Sequence, residues 1–169
     1  MLRNFTSSLI LLLLFHLYGC NKGLSPVSAE EKAGFSGTIT FIGKWPEGIT
    51  RTHLVVFQHE LKSSSDFNIL NLKFVSLEIP YGVKTYTYKS TDSSYIAIGA
   101  GTYEYVAVAQ SMKPALSLNR NDWFVAGVYY SNNDTTRPGL LEIPENTLVR
   151  NIDIICNFNE PPPQPPGGN

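Results

Sequence analysis

Charge of one sign, cysteine and helix-forming periodicity are all scarce in this sequence. Its 13 Lys and Arg stand against 14 Asp and Glu, a formal net charge of −1. Binding to nucleic acid needs clustered basic residues that displace counterions from phosphates, so nucleic acid is excluded as a partner. No serine sits in the Gly-x-Ser-x-Gly elbow that exposes a nucleophile on a strained turn. Sustained 3.6-residue periodicity is absent, so the crossover helices of a parallel α/β sheet are not expected. With 169 residues, 43% hydrophobic and 16% charged, there is enough chain for one ordinary domain with a real core and too little for two.

The longest apolar stretch, Leu9 to Tyr18, is about ten residues, half of the roughly 20 that a membrane-spanning helix needs at 1.5 Å rise each. His16 interrupts it. Preceded by Arg3 and followed by small Gly19, it has the three parts of a secretory signal. The string Leu17-Tyr18-Gly19-Cys20 resembles the lipobox of bacterial lipoproteins. It matches at Leu17, Gly19 and Cys20 and departs at Tyr18, where a small residue is commoner. The resemblance implies cleavage between Gly19 and Cys20 and acylation of Cys20, which would tie the protein to a membrane of the bacterial cell envelope. Which membrane, and which face of it, stays open. A single acyl chain holds a protein only marginally and two or three hold it firmly. Residues 20–34, "CNKGLSPVSAEEKAG", carry Gly, Ser, Pro and charge without an apolar period and read as a flexible tether.

From Phe35 onward the period is two. Phe35, Ile39, Phe41 and Trp45 share one face of a first strand, with Ser36, Thr38, Thr40 and Lys44 on the other. "THLVVFQH" (52–59) is apolar on both faces at its centre, as expected of a strand covered on each side. Further strands are expected at 72–79, 84–90, 95–99, 102–110, 122–131 and 140–143. In the 102–110 segment Tyr103, Tyr105, Ala107 and Ala109 are expected on one face. A last continuous strand at 147–158 should turn Leu148, Ile152, Ile154, Cys156 and Phe158 inward. Seven to eight short strands with regular turn signals predict an all-β fold, a single antiparallel sandwich over 35–158, prealbumin-like or Ig-like. The tail from Asn159, "NEPPPQPPGGN", should be extended, solvated and disordered.

The segment "AIGAGTYEYVAVAQ" (97–110) resembles the Gly-x-Tyr turn into a strand of prealbumin-like sandwich domains, a group that includes carboxypeptidase-regulatory-like modules. The stretch 35–158 as a whole resembles short lipoproteins of Bacteroidetes-type bacteria. The resemblance implies a sandwich in an accessory or binding role and carries over no catalytic residue.

Candidate chemistry is sparse. His53 and His59 share a strand face but lie roughly 20 Å apart, too far for one metal, and read as exposed strand-end residues. "NRND" (119–122) and "SNNDTT" (131–136) supply oxygen ligands of the kind calcium takes but without the one-three-five spacing and following Glu; turns are the plainer reading. The best binding candidates are aromatic: Trp45, Tyr86, Tyr88, Trp123 and Tyr129. Tyr86 and Tyr88, two apart, could form a stacking platform for a sugar, or all these rings could cover the core. The chain is thus expected to be a lipid-anchored envelope protein whose β-sandwich binds a protein or glycan partner or serves structurally, without catalysis or cofactor. A carbohydrate-binding accessory module and a hydrolase of unrecognised type are the alternatives. A disulfide between Cys20 and Cys156 is not expected, because it would drag an inward strand position out to the anchor.

Protein expressed in a bacterial host should begin at an acylated Cys20 when measured by intact-mass spectrometry. Recovery of unmodified Cys20, with residues 1–19 attached or cut elsewhere, rules the anchor out.

Overall fold

A computed structural model describes residues 31–131 and 134–168. Gly19, Cys20, the signal segment and the tether through residue 30 lie outside the described residues. Within the described residues no helix is long and apolar enough to cross a membrane.

The described residues are all-β, with eleven strands in three sheets and only isolated turns of 3-10 helix. The count exceeds the expected seven or eight because all nine segments singled out in the sequence form strands and two of them, 102–110 and 147–158, are each broken in two. β1 (Gly34–Ile42) begins one residue early and pairs antiparallel with β4 (Thr85–Lys89). Its other edge pairs in parallel with β10 (Leu148–Val149) and then β11 (Ile154–Asn157). No helix is needed for this parallel pairing, since the whole intervening domain makes the connection. A second, five-stranded antiparallel sheet runs in the order β5 (Ser94–Ile96), β3 (Leu72–Ser76), β2 (Arg51–Phe57), β7 (Tyr105–Ser111), β8 (Phe124–Val128). β6 (Gly101–Tyr103) and β9 (Leu141–Ile143) form a separate pair.

The main core lies between the two large sheets. Phe35, Ile39 and Phe41 from β1, Tyr88 from β4 and Ile154 and Cys156 from β11 meet Leu54, Val56, Phe74, Val106 and Val108 from the other sheet. Phe35 sits edge-on to both Phe74 and Tyr88, at 5.4 and 5.5 Å between ring centroids. Cys156 is a fully buried free thiol, and burial pushes its pKa up, which leaves it an inert small hydrophobe. Its Sγ faces Gly127 of β8, where a Cβ would meet it at 2.6 Å, so the sheets close tightly at this edge.

The expected last strand, 147–158, keeps its inward face, since Leu148, Ile152, Ile154 and Cys156 are all buried. Its ladder nevertheless breaks at 150–153. Asn151 takes a left-handed φ of 62°, a conformation that Asn tolerates better than most residues. The Asp153 carboxylate then accepts from Thr38 N at 2.7 Å, standing in for the backbone acceptor. Gly37 permits this, because the Ile152 carbonyl oxygen occupies the space of its missing Cβ. The 102–110 segment also differs from expectation. The chain changes sheets at Glu104, whose amide donates to Gln58 O. Tyr103 therefore enters the main core while Tyr105 and Ala107 face the opposite side of the five-stranded sheet.

The expected solvated, disordered tail is instead docked on the domain at Gln164 and Pro165. The Gln164 carboxamide pairs with the free edge of β8, its Oε1 accepting from Val125 N at 2.7 Å and its Nε2 donating to Val125 O at 2.9 Å. Pro165 is buried, and its carbonyl accepts from Arg120 Nη2 at 2.9 Å.

Gly37→Ala should therefore cost about 3 kcal/mol, since backbone must shift to admit the methyl group. Gly99→Ala, with nothing within 4 Å of a Cβ, should change stability by no more than about 0.5 kcal/mol. Urea unfolding of the two variants checks the contrast.

Candidate functional site

The five-stranded sheet is apolar on both faces, and its outer face carries a second cluster built on Phe57, Leu61, Tyr105, Ala107, Val125 and Val128. Strand alternation sets this face. Along β2 it presents His53, Val55 and Phe57, and along β7 Ala109, Ala107 and Tyr105, paired in that order. Large rings stand at the ends of the row, and Ala and Val occupy its middle. Val75 and Ile96 extend the small floor sideways through β3 and β5. The result is a cleft of about 260 Å³, close to the low end of the ~300–1,000 Å³ typical of small-molecule sites.

Two connecting segments raise its walls. Leu61, Phe67 and Ile69 come from one, Leu116, Leu118 and Trp123 from the other. Neither wall is loose. In the first, Asp66 Oδ2 accepts from the amides of Lys62 and Ser63, and Asn71 bridges His59 and Asp66 through its carboxamide. In the second, Asn119 caps the turn by accepting from Asn121 N, Ser117 Oγ donates to Asp122, and Trp123 Nε1 donates to Ser117 O at 2.8 Å. The Asx oxygens of 119–122 are thus spent on a turn. Asp134 likewise accepts from the amide and hydroxyl of Thr136. No cluster of three or more His, Cys, Asp or Glu able to hold a metal occurs among the described residues. The rim is aliphatic and open to solvent, with Leu118 63%, Ile69 54% and Leu116 50% exposed.

His53 is fully buried, contrary to the expected exposed strand end; only His59 is exposed, with Nδ1 3.6 Å from Glu104. His53 lies on β2, the middle strand of the five-stranded sheet, covered edge-on by Tyr95 and Trp123 at 5.7 and 6.0 Å. Its Nδ1 is 3.0 Å from Ser76 O, an acceptor, which assigns the proton to Nδ1. Nε2 has no partner. Burial lowers the pKa of the ring below its ordinary 6.5, against smaller opposing effects from the Ser76 carbonyl and Glu78.

Arg120 is the other buried polar residue of the cleft, 6% exposed. It donates to the carbonyls of Trp123 and Pro165, and its guanidinium lies 5.9 Å from the centre of the Phe67 ring. Its Nε is unpartnered. Ser117, the one serine of the lining, gives its proton to Asp122 and not to a histidine, so no activated nucleophile is assembled.

Of the aromatic residues singled out by sequence, only Trp123 lines this cleft. Trp45 belongs to the main core, donating to Val83 O and packed on Phe41, Tyr81 and Phe158. Tyr88 is in the same core with its hydroxyl on Ile152 O, and Tyr86 and Tyr129 pack half-buried against it. The structure therefore does not bring these rings together on one open face. The cleft's signal was the Ala107/Ala109 pair opposite a two-faced strand, together with leucines at 116 and 118 inside an otherwise polar turn region.

Set against family models, curated proteins and solved structures, the chain has no match.

Because the unfolded chain binds a proton at position 53 more readily than the folded one, this residue's contribution is complete above pH 6.5 and is lost as the pH falls below it. Between pH 7.5 and 5.5 the wild type should lose more stability than His53→Gln, by no more than about 1.4 kcal/mol. Denaturant titrations at the two pH values measure the difference.

Proposed function

We propose that this chain is a lipid-anchored protein of the bacterial cell envelope whose β-sandwich is a binding module, and that the outer cleft takes a small apolar molecule. The observation that carries the binding half is a cleft with an apolar floor and an exposed aliphatic rim. Exposed leucine and isoleucine gathered at the mouth of a concavity mark a binding site more than a surface fault. The anchoring half rests on the likeness of Leu17-Tyr18-Gly19-Cys20 to a lipobox and on the short apolar stretch before it.

Binding without turnover suits the lining. Its carboxylates are nil, its serine is committed to Asp122, and burial keeps His53 in its neutral form. The gain on binding comes from transfer of hydrocarbon out of water, about 0.8 kcal/mol per methylene. A glycan would require flat rings open together, and Trp45 and Tyr88 are buried in the main core.

A fluorescent apolar probe such as N-phenyl-1-naphthylamine should bind saturably with a blue-shifted emission. Val55→Phe, which fills the floor from its centre, should weaken that binding about tenfold, a change of about 1.4 kcal/mol. Absence of saturable enhancement, or an unchanged titration with a folded Val55→Phe protein, refutes the reading.

A further inference from the structure

We infer that the cleft's ligand is a single-chain aliphatic carboxylate, its chain on the Val55/Ala107 floor and its head group drawn to Arg120. This rests on the reading of the cleft as a site for an apolar molecule and adds what the other end of that molecule must be.

The length of the ligand follows from the floor. His53 and Phe57 are four residues apart on β2, about 13 Å at ~3.3 Å each, close to an extended chain of about ten carbons. The narrow row of Val55, Ala107 and Ala109 between bulkier ends favours an unbranched chain over a fused ring system.

The head group follows from charge. Among the described residues Arg120 is the only formally charged one lining the cleft, and it is nearly fully buried. Among the described residues no Asp or Glu comes within ion-pair distance of it. Its two terminal nitrogens meet neutral carbonyls, those of Trp123 and Pro165, and Nε meets nothing. Among the described residues this buried guanidinium meets no compensating charge, since carbonyl dipoles and one aromatic ring do not cancel a full charge. An anion that brings its own apolar tail supplies what the site lacks, and carboxylate geometry suits a guanidinium edge. A cationic head would be repelled, and a neutral ester would leave the charge unanswered. Phe67, whose ring lies 5.9 Å from the guanidinium, packs 5.7 Å from Phe57, which places the guanidinium toward the Phe57/Tyr105 end of the row.

The test uses ligand series on the intact protein, below micelle-forming concentrations. Decanoate, methyl decanoate and decylammonium compete against the naphthyl probe at pH 7.5. Decanoate should displace it at least tenfold more effectively than the ester, and decylammonium least of all. Arg120→Met should abolish the preference for decanoate over the ester, and Arg120→Lys should keep part of it. If Arg120→Met proves unfolded by circular dichroism, the order of the three ligands on the wild type decides alone. Equal displacement by acid and ester overturns the head-group assignment and leaves the apolar cleft standing. Failure of the probe itself to bind removes both.

Discussion

The seven-residue antiparallel ladder between β2 and β7 is the constraint on which the rest of the molecule depends. Every residue of β7 is buried, and each pair in the register contributes to one face or the other. Leu54 with Val108 and Val56 with Val106 face the four-stranded sheet and form the main core. His53 with Ala109, Val55 with Ala107 and Phe57 with Tyr105 face outward and form the cleft. A slip of one residue would exchange the two sets. It would thrust His53 and two alanines into the sandwich and leave large aliphatic residues on the face where small ones make the hollow. Core and cleft are thus one register decision, and neither can be repacked without disturbing the other.

How much of this could be read from residues alone varies with the physics involved. The alternation of β1 is legible because one face is apolar and the other is Ser, Thr and Lys, and all four of Phe35, Ile39, Phe41 and Trp45 are buried as the pattern requires. The inward turn of Cys156 follows from the same rule. Alternation says nothing about which sheet a strand joins, and so Tyr103 and Tyr105, two apart in a period-two pattern, come to lie in different clusters once the chain crosses at Glu104. It is also blind to backbone groups that bond to side chains, which is why the break opposite Gly37 looked like unbroken strand. The histidine was misplaced for a related reason. A polar residue at a strand end is ordinarily on the surface, and only the arrival of Tyr95 and Trp123 from distant segments buries it.

The cleft was the least legible feature because it is made by absences. Small side chains on a two-faced strand pair read as core filler, and the walls come from segments whose Ser, Asn and Asp content marks them as turns. Those turns are nonetheless well built. Asp66, Asn71 and Asn119 use side-chain oxygens to tie each wall to its own backbone, which is the work such residues do in rigid loops. The leucines at 116 and 118 then stay exposed without the loop collapsing onto the floor.

The Gln164 amide on the edge of β8 has a consequence for copies of the molecule near one another. One carboxamide answers both backbone groups of Val125 as a neighbouring strand would, and prolines on either side of it offer no further donors. A sheet margin that would otherwise recruit a strand from another chain is sealed by a single side chain. At high local concentration an unprotected margin becomes a nucleus for growing fibres, and here Gln164 caps it.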